Sequence, residues 1–140
     1  MKKILQIKSK LDKISYNEDE EILNGYLEAA LWSSGEEEEF DGYSISDIDE
    51  SSINSAREDI KKFLSDLKNA GLLDNLMSEM EASGVGHDFW LTRNGHGAGF
   101  WDRDLGEVNG KDLGDSVTEV CKTFGEKWPY VGDDKKIYIE

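Results

Sequence analysis

Two histidines and two aspartates fall in one short stretch of the chain, at His87, Asp88, His96 and Asp102. Imidazole and carboxylate groups can together bind a metal ion, or act as an acid and a base. Their spacing matches neither HExxH nor paired CxxC. If the stretch forms a hairpin, Asp88 and Asp102 lie at its open end, and His96 lies about 20 Å away at its tip, at about 3.3 Å per residue. One catalytic or metal site using all four is therefore disfavoured, and the sequence predicts no cofactor.

Aromatic and basic side chains in the same stretch, DFWLTRNGHGAGFWDR (88–103), could instead contact a partner. Tryptophan beside arginine is typical of the residues that dominate binding energy at protein interfaces. The alternative is that the aromatic rings pack in the core and the arginines pair with nearby acids. If the stretch is a binding surface, its contact residues are Trp90, Arg93, His96, Trp101 and Arg103.

The glycines of NGHGAG favour a turn rather than a phosphate-binding loop, because no Lys-Ser/Thr follows and no helix is predicted to open there.

Cys121 is the only cysteine, so it cannot form an internal disulfide. It lies on the apolar side of a predicted helix, which indicates a buried structural thiol rather than a nucleophile.

Acidic residues are concentrated in one window of the chain. The net charge is −15, and residues 18–59 carry a net charge of −14, whereas residues 1–17 carry +4 and residues 60–140 carry −5. Such a field repels nucleic acid and anionic membranes and attracts basic partners. The predicted partner contacts in this window are Glu36, Glu37, Glu38, Glu39, Asp41, Asp47, Asp49 and Glu50.

The acidic window has three interpretations. Charge runs are usually solvated surface that aids solubility. A calcium loop needs alternating oxygen ligands, a turn glycine and a final glutamate, and the sequence around 41–47 does not fit that pattern. The third interpretation is mimicry of DNA, which presents one negative charge per roughly 1.7 Å of its axis. A mimic would compete for the basic groove of a nucleic-acid-binding protein.

The elements that must position these residues divide into two portions. Apolar residues at helical spacing predict helices near the N-terminus, in 18–32 and in about 53–80, the last with a break at Asn69-Ala70-Gly71. An acidic loop is predicted at 33–52 and a stop at Ser83-Gly84-Val85-Gly86. The N-terminal helix would present Ile4, Ile7, Leu11 and Ile14, and Ser51 or Ser52 could cap the helix that follows the loop.

The second portion, about 87–140, is predicted to be a β-hairpin, a helix and a second β-hairpin. DFWLTR and AGFWDR form the first hairpin around Asn94-Gly95, a strong hairpin signal. KDLGDSVTEVCKTFGEK is the helix, and YV and KIYIE form the second hairpin. The prediction is one α+β domain over 1–140, with N-terminal helices (about 1–82) and a small antiparallel sheet of three or four strands with a helix packed on it.

The stretch DFWLTRNGHGAGFWDRDLG resembles a motif of small acidic phage and prophage proteins. The resemblance extends to YLEAALWSS, SISDID, REDIKKFL and YVGDDKKIYIE, and so to nearly the whole chain. It implies a phage origin and action inside the infected host, and supplies no activity, cofactor or site residue. By analogy it favours an inhibitor of a host or defence protein.

Three hypotheses follow. The first is a non-enzymatic protein that binds a basic surface of a host or phage protein, without contacting nucleic acid or membrane directly. The second is a binding module that uses the aromatic hairpin to hold a protein or small ligand. The third is a small metal-assisted hydrolase using His87, Asp88 or Asp102.

With one cysteine and no long apolar run, the chain is expected in the cytoplasm, that of the host cell if it is phage-encoded.

Overall fold

The structure is a computed structural model that describes residues 18–33, 39–95 and 98–140. Its helices are α1 (18–32), α2 (Glu50–Asn69), α3 (Leu73–Glu79), α4 (Ala82–Arg93) and α5 (Leu113–Lys122). Its strands are β1 (Glu107–Val108), β2 (Lys111–Asp112), β3 (Pro129–Val131) and β4 (Ile137–Ile139), and short 3-10 turns span Ile45–Asp47 and Phe100–Asp102. The predicted helix face of Ile4, Ile7, Leu11 and Ile14 lies outside the described residues.

The amphipathic helices α1, α2 and α5 form where apolar residues recur at helical spacing. Helix α2 buries Ala56, Ile60, Phe63 and Leu67 on one side, and the predicted break at Asn69-Ala70-Gly71 separates it from α3. Its N-terminal cap is neither predicted serine. Asp49 is the cap instead, and its carboxylate accepts a hydrogen bond from the Ser51 backbone N–H at 3.0 Å. A carboxylate at this position also interacts favourably with the helix dipole.

Helix α4 is the centre of the core and overturns two predictions. The segment predicted as a stop and the DFWLTR segment predicted as a strand form one continuous helix. Residues 88–94 are buried on every side of this helix. When every side of a segment is buried, its polar residues follow neither the helical period of about 3.6 residues nor the strand period of about 2. The pattern of an aromatic-rich run therefore cannot distinguish a strand from a helix.

Glycines in α1 and α4 allow these two helices to cross at very short distance. A Cβ added at Gly86 would lie 2.8 Å from the Tyr26 backbone nitrogen and closer still to the Ile22 carbonyl oxygen. A Cβ at Gly25 would similarly overlap the Ser83 carbonyl group. The SGVG segment therefore does not stop the helix, because Gly86 serves as a contact point between two helix backbones.

The predicted hairpin around Asn94-Gly95 is also wrong. Asn94 is the C-cap of α4, and Gly95 has a φ of 66°, the left-handed conformation that commonly ends a helix. The chain then returns through the 3-10 turn Phe100–Asp102, and the Phe100 N–H donates to the Thr92 hydroxyl at 3.2 Å. The fold has a hairpin at another Asn-Gly pair. Asn109 (φ 55°) and Gly110 (φ 78°) join β1 to β2 with the positive φ values of a type I′ turn.

The terminal hairpin lies where YV and KIYIE predicted it. Strands β3 and β4 are antiparallel, with Tyr130 opposite Tyr138. Ile137 and Ile139 are buried, and Ile137 forms a parallel bridge with Ile48. The fold class is α+β as predicted, but the strands form two separate two-stranded sheets instead of one sheet of three or four.

No helix among the described residues has both the length and the apolar character needed to cross a lipid bilayer.

Candidate interaction surface

Asp88 is a buried carboxylate neutralised by Arg103. Its side chain is 1% exposed and accepts two hydrogen bonds from the guanidinium, from Nε at 2.6 Å and from Nη2 at 3.1 Å. These bonds raise the pKa of Arg103 above its ordinary value. A bidentate pair of this kind is strong and directional. Both oxygens of the Asp88 carboxylate thus bond to Arg103 and hold its guanidinium at the surface. Asp88 is therefore poorly placed to act as a base or metal ligand.

His87 and Trp32 lie beside this pair at the protein surface. The His87 Nδ1 atom is 3.3 Å from the second oxygen of the Asp88 carboxylate, and the rings of His87 and Trp32 have centroids 5.9 Å apart. Trp32 is 78% exposed. Asp102 is exposed next to Arg103, and His96 lies outside the described residues. Among the described residues, no group of three histidine, cysteine or acidic side chains could hold a metal ion.

Arg93 lies inside the protein and is unavailable to a partner. Its guanidinium donates to the Tyr26 hydroxyl (3.0 Å), the Asp59 carboxylate (2.8 Å) and the backbone carbonyls of Phe124 (3.0 Å) and Gly125 (2.9 Å). These acceptors satisfy a buried charge that would otherwise be costly. Burial raises the pKa of Tyr26 to about 12, although the adjacent guanidinium opposes the shift.

Asp59 is the counter-ion that Arg93 shares with Lys127. The Lys127 Nζ atom lies 3.0 Å from the same carboxylate oxygen, and it also donates to the Ser55 hydroxyl. Burial of Asp59 acts to raise its pKa, but the hydrogen bonds and charges of Arg93 and Lys127 together outweigh it and lower the pKa. This network joins α1, α2, α4 and the segment after α5.

Of the two tryptophans predicted as contacts, Trp90 lies in the core and Trp101 is accessible. The Trp90 indole N–H donates to the Ser33 hydroxyl at 2.8 Å, and its ring packs edge-on against Tyr26 at 5.2 Å. Trp101 is half-buried and lines an open groove between the end of α4, β1–β2 and α5. The groove carries Lys111 and Lys122 beside several acids. The contact set predicted for the hairpin thus loses Trp90 and Arg93.

Cys121 is buried, as predicted for a structural thiol. Burial is the main cause that raises its pKa well above the ordinary value. The thiolate form that a nucleophile or metal ligand requires is therefore strongly disfavoured.

The predicted acidic contacts differ in what their side chains do. Glu36, Glu37 and Glu38 lie outside the described residues. Glu39, Asp41 and Glu50 are exposed. By contrast, Asp47 accepts a hydrogen bond from the Ser44 backbone N–H at 2.8 Å, and Asp49 caps α2. Two of the predicted contacts thus stabilise local structure.

A second group of acids, which the sequence order does not reveal, surrounds two adjoining crevices. Both crevices share Glu79, Met80 and Glu81 at the junction of α3 and α4. The remaining acids of the group come from the start of α1 and the segment after Phe100 and are all exposed: Glu18, Glu21, Asp102 and Asp104. Of the described residues that line the crevices, Arg103 alone is basic, and it already pairs with Asp88. We call these six carboxylates the acidic crevice.

The crevice residues come from three parts of the chain, so no local run of charge identifies them. EDEE (18–21) was recognisable in sequence as acidic, but its proximity to Glu79, Glu81 and Asp104 depends on the α1–α4 crossing. The half-buried side chains of Met77 and Met80 line the same crevices. Flexible methionine side chains adapt to varied partners at binding surfaces.

No protein-family model matches the chain, and neither a curated protein nor a solved structure is significantly similar to it.

Proposed function

We propose that this chain is a non-enzymatic interaction protein that binds a basic surface of another protein. The observation that carries the proposal is the acidic crevice, in which six exposed carboxylates surround two methionines. Among the described residues, none of the six lies within ion-pair distance of a basic side chain, although the charge of Asp102 also acts on Arg103. A concave surface of one sign raises the local concentration of oppositely charged partners and accelerates association.

The target that fits this field best is a nucleic-acid-binding protein. Its basic groove is built for a dense row of phosphates, and the net charge of −15 on 140 residues offers a competing negative surface. If the chain is a small acidic phage protein, as its sequence motif implies, the target is a host or phage protein. In this proposal the chain occupies the groove and excludes the nucleic acid.

Charge neutralisation with a matched control tests the proposal. The crevice variant carries Glu79→Gln, Glu81→Gln and Asp104→Asn. The control variant carries Glu58→Gln, Glu107→Gln and Glu126→Gln, which remove the same charge from exposed positions elsewhere. Wild type and both variants are immobilised, exposed to bacterial lysate and eluted with stepwise salt. Captured proteins are identified, purified and tested for competition with duplex DNA.

The expected result is a nucleic-acid-binding protein that the wild type and control retain and the crevice variant loses. It should elute at moderate salt, since the screening length falls from about 8 Å at physiological ionic strength to about 3 Å at 1 M. Duplex DNA should compete with the chain for it. Equal retention by the crevice variant and the control would refute the role of the crevice, and a partner indifferent to DNA would refute mimicry.

A further inference from the structure

The terminal hairpin presents three aromatic side chains on one side. Along a strand, alternate residues point to the same face. Trp128 and Tyr130 therefore share a face of β3 and its extension, and Tyr138 lies directly opposite Tyr130. The Tyr130 and Tyr138 rings are stacked, with centroids 5.6 Å apart and planes inclined by 21°. Trp128 is 45% exposed and Tyr130 is 42% exposed. We call these three rings the aromatic face.

The other side of the same hairpin holds it firmly against the body of the protein. Ile137 and Ile139 are buried there. The Ile137 carbonyl accepts from the Asp49 N–H at 2.8 Å, and the Ile139 N–H donates to the Ser52 hydroxyl at 3.0 Å. The aromatic rings are thus carried by a fixed strand pair. A surface that needs little ordering loses less entropy when it binds.

Carboxylates border the aromatic face at both ends. The Tyr138 hydroxyl donates to Asp134 at 2.6 Å, and Tyr130 interacts with Glu140. The hydrogen bond to Asp134, followed by burial and nearby negative charge, raises the pKa of Tyr138 to about 12. Burial, followed by the charge of Glu140, raises the pKa of Tyr130. Asp134 and Glu140 thus place two carboxylates beside the rings, where they can attract a cation.

We infer that the aromatic face binds arginine side chains presented by a cationic segment of a partner protein. A guanidinium is planar, so it can stack on the tyrosine or tryptophan rings while its N–H groups donate to Asp134 or Glu140. A lysine ammonium can make the ionic contact but cannot stack in the same way. The inference rests on the proposed function, and it adds arginine preference and a second contact point for the same basic partner.

Oligo-arginine and oligo-lysine peptides of equal length test this preference by calorimetric titration of the full chain. The test variant carries Trp128→Leu, Tyr130→Leu and Tyr138→Leu, which keep apolar bulk and remove all three rings. Its control is Trp32→Leu, which removes the exposed tryptophan of α1. We expect the wild type and the control to bind oligo-arginine ~5-fold more tightly than oligo-lysine, and the test variant to bind both equally.

Aromatic proton shifts of the wild type provide a readout that needs no variant. Oligo-arginine should move the signals of Trp128, Tyr130 and Tyr138 more than oligo-lysine does. No preference for arginine in the wild type, or a preference that survives in the test variant, would overturn the inference. The crevice variant separates the two proposals. If it weakens both peptides while the wild type shows no arginine preference, the acidic interaction stands and the aromatic face fails. If the wild type binds neither peptide, both proposals fail.

Discussion

Replacing Gly86 and Gly84 with alanine, one at a time, should change stability in opposite directions within one helix. Both glycines belong to α4, and alanine is favoured over glycine in a helix interior by ~1 kcal/mol. At Gly84 an added Cβ meets only the terminal methyl of Met80, at 3.5 Å, which is ordinary contact. We therefore expect Gly84→Ala to raise the free energy of unfolding by about 0.5–1 kcal/mol.

At Gly86 the same methyl group would overlap the backbone of α1. The two helices would have to separate by on the order of 1 Å, and a gap of that size removes roughly a quarter to a half of the dispersion energy at each separated contact. The ring contacts of Tyr26 with Phe89 and Trp90 lie at this crossing. Overpacking costs about 1–3 kcal/mol, and we take the upper end because rigid backbone is the obstacle. After the helix-propensity gain, Gly86→Ala should lower the free energy of unfolding by ~2 kcal/mol.

Urea denaturation followed by circular dichroism measures both changes. With a slope of about 1–3 kcal/mol per molar urea, the midpoints of the two variants should differ by about 1 M or more, with wild type between them. Equal midpoints, or a Gly86→Ala protein more stable than wild type, would show that α1 and α4 do not cross at this glycine.

Two further predictions concern the interior. Because the folded-state pKa of Asp59 lies below the ordinary 3.8, its contacts with Arg93 and Lys127 stabilise the fold above that pH and are lost as the pH falls through the lower folded-state value. Asp59→Asn should therefore cost about 2 kcal/mol at neutral pH, less than for a fully buried pair because Asp59 is partly exposed. As the pH falls below about 5, unfolding experiments should show that the variant loses less stability than wild type. An unchanged pH dependence would contradict the ionic role. Because the Cys121 thiol is buried and its pKa is raised, it should react with a thiol reagent in native buffer only as fast as the structure opens. In denaturing urea it should react completely. Rapid labelling of the native protein would place the thiol at the surface.

The sequence contains three Asn-Gly pairs, and they show what local signals could predict. Asn109-Gly110 forms the two-residue hairpin turn that the dipeptide favours, Asn94-Gly95 ends a helix, and Asn24-Gly25 lies inside α1. The dipeptide permits positive φ but does not require it. Which outcome occurs depends on whether the flanking residues can pack as strands or as helices, and that is decided by tertiary contacts.

The segment around Asp88 and Arg103 shows a second limit of pattern analysis. Its two ends were predicted to lie together, and they do, joined by the Asp88–Arg103 pair. The conformation between them was wrong, because a run buried on all sides lacks the polar face that distinguishes the helical period from the strand period. The amphipathic helices and the terminal hairpin, each with one solvated face, were predictable. The acidic crevice was not, because its carboxylates meet only through the packing of distant segments.

The buried guanidinium of Arg93 has a consequence for how the chain reaches its folded state. Its acceptors lie 31 to 67 residues away in sequence, at Tyr26, Asp59, Phe124 and Gly125. The charge cannot be buried favourably until all of these segments have assembled, so contacts of high contact order must form together. During synthesis the acceptors of Arg93 are complete only after residues 124–125 leave the ribosome. A fragment ending before them would lack two of the four acceptors of Arg93 and the terminal hairpin that covers part of the core, and would be prone to aggregation.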